Sequence, residues 1–326
     1  MKLAPSADLS VPDEISDLLS RYIATEYAYT TPKGAPLCWP VTPYWYPKRQ
    51  VLAIATGLAY PTKADHPKVN PKIAMLFSDP KGTGLADPPT VLAQGTATVL
   101  DEDLQYNADR YVVELREKFP AARLAINRLT VSMLDFYLPR LWVEMTPVRM
   151  IIDATDGSRV VHGTALDMTE QGPVAAVDDH APLRDDHWKA LVKVASSHDD
   201  AVLTTVGADG FPYPRRTNVM VRNDRSLELD AVAQPSEACL TFHAHTLAGT
   251  RFKAYLVRGN LLSDGGRVIF KPWRLVGFFG NGAVWPLSAI PEVKTLRKRL
   301  KKELLRRGQP MPKLRVPAVM PVLPTE

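Results

Sequence analysis

Thr62 and Lys63 open a stretch whose residue types suit the holding of an anion. A phosphate is gripped well by backbone N–H groups, a hydroxyl and a compact cation, and a helix N-terminus supplies the first of these. Pro61 to Pro71 reads as a short helix opened by Thr62 and closed by Asn70-Pro71, and Thr56 ends the strand-like run before it. A plainer reading of the same residues makes Thr62 an N-cap and Lys63 a solvated cation. Elsewhere, Arg215 and Arg216 stand side by side in a strand-like run. Alternation exposes one of them and leaves the other to reach an anionic group. His243 and His245 lie two apart and so share a strand face. With no third ligand nearby in the sequence they read as satisfied histidines, and no metal is expected. No Ser-His-Asp or Cys-His set and no Gly-rich dinucleotide loop is visible. No catalytic residue is assigned; Tyr44 and His243 are the candidates for a proton donor.

The elements that must position these residues occur twice. Gly34 to Thr56 can be laid without a gap on Gly210 to Val232, so that Arg49 meets Arg225 and Ala55 meets Ala231. Ile73 to Phe77 matches Ala238 to Phe242, Val91 to Gly95 matches Tyr255 to Gly259, and Met145 to Arg149 matches Phe270 to Arg274. Each copy starts with a strand and a Gly-containing turn, as in Ala208-Asp209-Gly210, a hairpin signal. Short β runs repeated in one order imply two related antiparallel barrels or sandwiches. The copies differ where the anion site is expected: sixteen residues separate Thr56 from Ile73, but only five separate Val232 from Ala238. The first copy also carries a helical insert, Asp101 to Met133, broken at Pro120. The organisation expected is residues 1–150 as the first barrel, 151–185 as a polar linker, 186–290 as the second barrel, and 291–326 as a basic helix with a proline-rich tail.

Composition narrows the function classes. Of 326 residues, 45% are hydrophobic and 23% charged, the profile of a globular chain. No run of eighteen apolar residues is present to span a membrane. Met1 to Glu14 lacks the apolar core of a secretory signal, and two cysteines are too few for a disulfide framework, so a cytoplasmic setting is expected. Eight basic residues against one acid between Lys294 and Arg307 account for the whole net charge of +5, which leaves the body without the charge of a nucleic-acid binder. That helix has Leu296, Leu300 and Leu304 on one stripe. Its leucines either pack on the barrel, or its basic arc meets acidic lipid, nucleic acid or an acidic cofactor tail. The tail is expected to be extended and to drape over the second barrel or a neighbouring subunit.

The ordered set T-T-x-x-G-x-P, Val41-Thr-Pro-Tyr-Trp45, Val51 to Thr56, Thr62-Lys63-(x6)-Asn70-Pro71, Gln94-Gly-Thr-Ala97 and Thr146-Pro147-x-Arg149 resembles the FMN-binding split β-barrel, or pyridoxamine 5'-phosphate oxidase-like, superfamily. That superfamily includes reductases dependent on the deazaflavin coenzyme F-420. The resemblance implies a mainly β protein with helices, made of two tandem split barrels that form a pseudo-dimer within one chain, the second copy degenerate. It implies a cofactor at the seam, FMN or alternatively coenzyme F-420, with contacts at Thr42, Pro43, Tyr44, Thr56, Thr62, Lys63, Gln94, Arg216 and Asn218. The activity implied is hydride transfer to or from a small conjugated apolar substrate. The rival is a non-catalytic protein that sequesters flavin, deazaflavin or haem. A further possibility is a barrel pair that has lost its cofactor. A homo-oligomer is compatible with either.

Overall fold

The computed structural model describes residues 9, 11–164, 180–246, 252–279 and 290–321. The first half runs α1 (Asp13–Arg21), β1 (Thr25–Thr30), β2 (Pro36–Val41), β3 (Pro43–Tyr46), β4 (Val51–Gly57), α2 (Thr62–Val69), β5 (Lys72–Phe77), β6 (Thr90–Leu100), α3 (Leu104–Lys118), α4 (Ala122–Ala125), β7 (Arg140–Asp153) and β8 (Arg159–Gly163). The second runs α5 (Asp185–Ala195), β9 (Asp200–Val206), β10 (Pro212–Val221), β11 (Leu227–Leu229), β12 (Ser236–His245), β13 (Phe252–Asp264) and β14 (Arg267–Phe279), and α6 (Ile290–Arg307) follows.

The first sheet has the order β2-β1-β5-β6-β7-β4-β3, with β8 added beside β7. Since β2 and β3 are parted only by Thr42, the sheet curls until its two edges meet in one chain segment, a barrel split at that residue. In the second half the equivalent segment is the single strand β10, and β10-β11-β14-β13-β12-β9 closes. The cyclic order is the same, and both halves are mainly β, as expected.

Strand register proves the repeat in detail. Thr25 pairs with Val41 and Ala201 with Thr217, a constant offset of 176 along both strands. Ile73 faces Gly95 as Ala238 faces Gly259. A β-bulge falls at the matched steps Gln94/Gly95 and Arg258/Gly259, opposite Pro147 and Pro272. Both bulge glycines are enforced by close approach: a Cβ on Gly95 would lie 2.2 Å from the Thr146 carbonyl, and one on Gly259 2.6 Å from the Lys271 carbonyl. One correction concerns the turn after strand two. Trp45 pairs with Leu52 but Val221 with Leu227, so the second turn is one residue shorter. The left-handed residues Gln50 (φ 50°) and Arg225 (φ 61°) are therefore counterparts, and Arg49 and Ala55 do not meet Arg225 and Ala231.

Two other expectations shift. Residues 151–153 and 159–163 of the expected linker are strand: Ile151 and Ile152 are buried at the end of β7, which turns at Gly157 into β8. Residues 165–179 of it lie outside the described residues. The tail is extended, but it lies along α3 of the first barrel. The Gln105 amide bonds both main-chain groups of Lys313, at 3.0 and 2.7 Å, and Arg315 pairs with Asp109 at 2.6 Å. Leu300 and Leu304 of α6 pack on the first barrel, with Leu300 buried, and no helix among the described residues is long and apolar enough to cross a membrane.

The halves meet through β1, β2 and β5 on one side and β9, β10, β12 and β13 on the other. An apolar patch of Ala28, Cys38, Ala74, Leu76, Leu92, Ile151 and Val202 fills the middle. The Thr241 hydroxyl donates to the Cys38 carbonyl at 3.1 Å. Beside this patch, Glu26 is 1% exposed and takes Arg216 Nη2 at 2.7 Å, His243 Nε2 at 2.8 Å and the Ser78 hydroxyl at 3.0 Å. The Arg216 guanidinium also reaches Asp200 at 2.6 Å. A buried carboxylate left without its cation is costly. Arg216→Met should therefore destabilise the protein by about 3–5 kcal/mol, and the double variant Glu26→Gln/Arg216→Met should recover most of that loss. Denaturant melts check this; a double variant as unstable as the single one would contradict it.

Candidate functional site

The distinctive end of the seam is built by the turn between β4 and β5 that the second half lacks. Tyr60 N–H donates to the Gly57 carbonyl at 2.8 Å and the Thr56 hydroxyl to the Tyr60 carbonyl at 3.1 Å, which folds the chain into α2. Pro61 takes the N-cap position of α2 and Thr62 its first turn, so Thr62 is not an N-cap and its residue is exposed. The Tyr27 hydroxyl donates to the Lys63 carbonyl at 3.0 Å, anchoring the helix start to β1. The Lys63 ammonium then lies 4.4 Å from the centre of the Trp39 ring of β2.

The second cation is Arg140, the first residue of β7, which pairs with Gly57. Its guanidinium lies against the rings of Tyr111 and Tyr137, at 4.3 and 4.1 Å from their centres, and its Nη1 would be 3.1 Å from a Cβ on Gly57. The two tyrosine hydroxyls are bonded to each other at 2.9 Å. Among the described residues, no carboxylate pairs with Lys63 or Arg140. Burial of the ammonium and repulsion from Arg140 pull the Lys63 pKa down to about 8. Two neighbouring cations with no described acid paired to either, at the start of a helix, have a donor character that suits an anion.

The second half supplies a wall. Trp39 packs on Val276, and a Cβ on Gly277 would come within 3.0 Å of its ring. The pairing of β13 with β14 has an extra irregularity here, between Leu256 and Val257, that the first half lacks. The opposite end of the seam is not a second copy of the site. There Trp39 is replaced by Arg215, whose guanidinium folds onto the carbonyl of Val232, the counterpart of Gly57. The outer side of α2 is no anion site either, because Arg306 and Arg307 of α6 are already paired with Asp65, Glu303 and Asp101.

Of the residues singled out from sequence, the structure gathers Thr56, Thr62 and Lys63 at this end, with the Thr56 hydroxyl shaping the turn rather than facing a ligand. Thr42 marks the split in the barrel, and Pro43 is buried beside it. Tyr44 is turned away from the seam into the core under the helical insert, its ring 5.0 Å from Trp142. Gln94 braces the seam, donating to the Pro212 carbonyl at 2.6 Å and accepting from Arg149 at 2.5 Å. Arg216 is consumed by Glu26, Asp200 and Ser78, and Asn218 is exposed at 3.4 Å from Asp230. His243 belongs to the Glu26 cluster. Of the aromatic residues nearby, Trp39 and the half-exposed Tyr60 border the site, whereas Trp45 is pinned under α1 by its bond to Ser16 at 2.7 Å. Arg140 was not read from the sequence: it lies 77 positions beyond Lys63, and nothing local marks it.

No family model matches the sequence, and no curated protein does. Solved structures do match in fold. An FMN-binding protein related to pyridoxamine 5'-phosphate oxidase, from Nostoc punctiforme, is 13% identical, and 51% of this chain covers 99% of it at a TM-score of 0.32. An F-420 reductase is 18% identical, with 43% of this chain against 98% of that one and a TM-score of 0.31. The haem storage protein of Vibrio cholerae is 11% identical, at 43% against 91% and a TM-score of 0.30. At such identities the likeness is one of fold. Each neighbour, taken nearly whole, corresponds to about half of this chain.

The low Lys63 pKa has a direct consequence. An anion is held only while the ammonium is charged, so affinity for a phosphate monoester should be full below pH 8 and fall as pH rises through and above 8. Binding titrations across pH 6.5–9.5 check this. Lys63→Met should be weaker throughout and flat over that window; a wild-type profile equally flat would contradict the assignment.

Proposed function

We propose that the chain binds one phosphate-bearing flavin, FMN or alternatively the deazaflavin coenzyme F-420, at the Lys63 end of the seam, and serves as an oxidoreductase for a small conjugated apolar substrate. The observation that carries this is the pair Lys63 and Arg140, two neighbouring cations with which no carboxylate among the described residues pairs. The donor set fits a phosphate: a compact ammonium, a guanidinium fork and Thr62 at the first turn of a helix.

The residues divide the work simply. Lys63 and Arg140 hold the anionic end. Tyr111 and Tyr137 hold the guanidinium in place through cation–π contact with their rings. Trp39 and the bulged β14 close the side toward the second barrel and offer an apolar surface to a conjugated ring. When bound, the isoalloxazine or deazaflavin ring supplies the hydride chemistry, which is why the site needs no nucleophile or acid–base pair. The setting expected from the sequence is cytoplasmic.

The test starts from what the purified protein carries: the absorbance spectrum and mass of the extracted ligand should be those of FMN or a deazaflavin. Removing one charged donor costs about 1.5–3 kcal/mol, roughly a 10- to 100-fold loss of affinity. Lys63→Met and Arg140→Met should each lose that much for FMN and little for riboflavin; equal losses for both ligands would contradict the phosphate assignment. Stopped-flow reduction of the loaded protein by a nicotinamide or a reduced deazaflavin then decides between an enzyme and a sequestering protein. A ring that no donor reduces would remove the oxidoreductase reading and leave the binding site standing.

A further inference from the structure

The same seam holds a second, independent cluster. Asp79 follows β5 of the first barrel, and His243 and His245 end β12 of the second; one ligand atom of each lies within 4.8 Å of the others. The repeat explains why they meet. With Phe77 equivalent to Phe242, Ser78 and Asp79 are the counterparts of His243 and Ala244, so the two strand ends converge where the halves are related to each other.

The hydrogen bonds of the two imidazoles fix which nitrogens are free. His243 Nε2 lies 2.8 Å from Glu26 Oε1, and His245 Nε2 lies 3.0 Å from the Lys81 carbonyl. A carbonyl only accepts, so His245 carries its proton on Nε2 and donates there. An ionised Glu26 demands the same of His243. With the proton on Nε2, each Nδ1 is left with a lone pair; both side chains are fully buried, and His243 Nδ1 has no hydrogen-bond partner among the described residues. His245 Nδ1 faces Asp79 Oδ2 at 3.2 Å. Two acceptors at that separation match two ligands of one tetrahedral ion, which bonds of 2.0–2.1 Å place about 3.3 Å apart. Imidazoles that donate their outer N–H to a carboxylate and a carbonyl are oriented in the way metal ligands are.

We infer that Asp79, His243 and His245 form a divalent-metal site, selective for zinc-like ions, that clamps the first barrel to the second. The ligand set of two imidazoles and one carboxylate suits borderline first-row ions rather than magnesium or calcium. Three protein ligands leave one position for water, and Asp79, 22% exposed, gives the site its way out to solvent. Arg216, the nearest strong cation, is neutralised by Glu26 and Asp200. Phe252 stacks on His245 with centroids 5.8 Å apart and holds the ring in place. The sequence concealed this site because the third ligand lies 164 positions before His243, in the other half of the chain.

The alternative is a simple ion pair, with His245 doubly protonated against Asp79. The two are separated by loading the full-length protein, stripped with EDTA, with Co²⁺ and then Zn²⁺. The clamp predicts one Co²⁺ per chain with the intense d–d absorption of a four-coordinate ion, its displacement by Zn²⁺, and a melting temperature that rises with Zn²⁺ concentration. Asp79→Asn and His245→Gln should each weaken Zn²⁺ binding by more than 100-fold, and Glu26→Gln, which only orients a ligand, by roughly 10- to 100-fold. The partly exposed Asp79→Asn variant keeps shape and volume, and its far-UV circular dichroism reports folding. No uptake by the folded wild-type protein, or uptake that Asp79→Asn leaves unchanged, would overturn the proposal.

Discussion

Glu26 is the point on which the pairing of the two halves depends. It is a β1 residue of the first barrel, buried at the seam, and its charge is balanced by Arg216 and by contact with His243, both from the second. A carboxylate in that position is tolerable only while those partners are aligned with it. Surrounding apolar residues such as Cys38, Ala74 and Val202 would pack acceptably in several relative positions; the buried charge permits one. The pairing it fixes places β14 of the second barrel against Trp39 of the first, and so completes the Lys63 end.

Duplication gave two equivalent seam ends, and the sequence then made them different. One end gained α2, an indole and two cations with which no carboxylate among the described residues pairs. The other exchanged the indole for Arg215, which satisfies itself on a main-chain carbonyl, and lost the helix that would present backbone donors. Chain length, rather than any single side chain, is the larger cause. The short connection from Val232 to Ala238 has no room for the turn that Thr56 and Tyr60 close. α6 adds an outer lock on the retained helix, since Arg306 and Arg307 both reach Asp65 of α2.

Much of this was legible in the sequence because β-register and turn chemistry are local. The repeat, the short helix at Thr62, the break at Pro120 and the packing of the α6 leucines follow from spacing alone. The one-residue slip after strand two was not legible, since Arg49 and Arg225 give a tempting match while the left-handed turn residue that fixes register is Gln50 in one copy and Arg225 in the other. Strand length also misled: Ile151 and Ile152 continue β7 into a segment whose overall polarity reads as linker. Side chains were hardest where direction mattered. Tyr44 alternates to the face covered by the helical insert, Arg216 is claimed by Glu26, and Arg140 is brought to Lys63 only by the pairing of β7 with β4.

The central claim is that one end of the seam, and not the other, holds a phosphate between Lys63 and Arg140. A crystal structure of the protein grown with FMN tests it most directly. The account predicts one ligand per chain, its phosphate in contact with both cations and with the start of α2, its ring beside Trp39. A phosphate seated instead beside Arg215, or a well-occupied ligand that touches neither Lys63 nor Arg140, would contradict it.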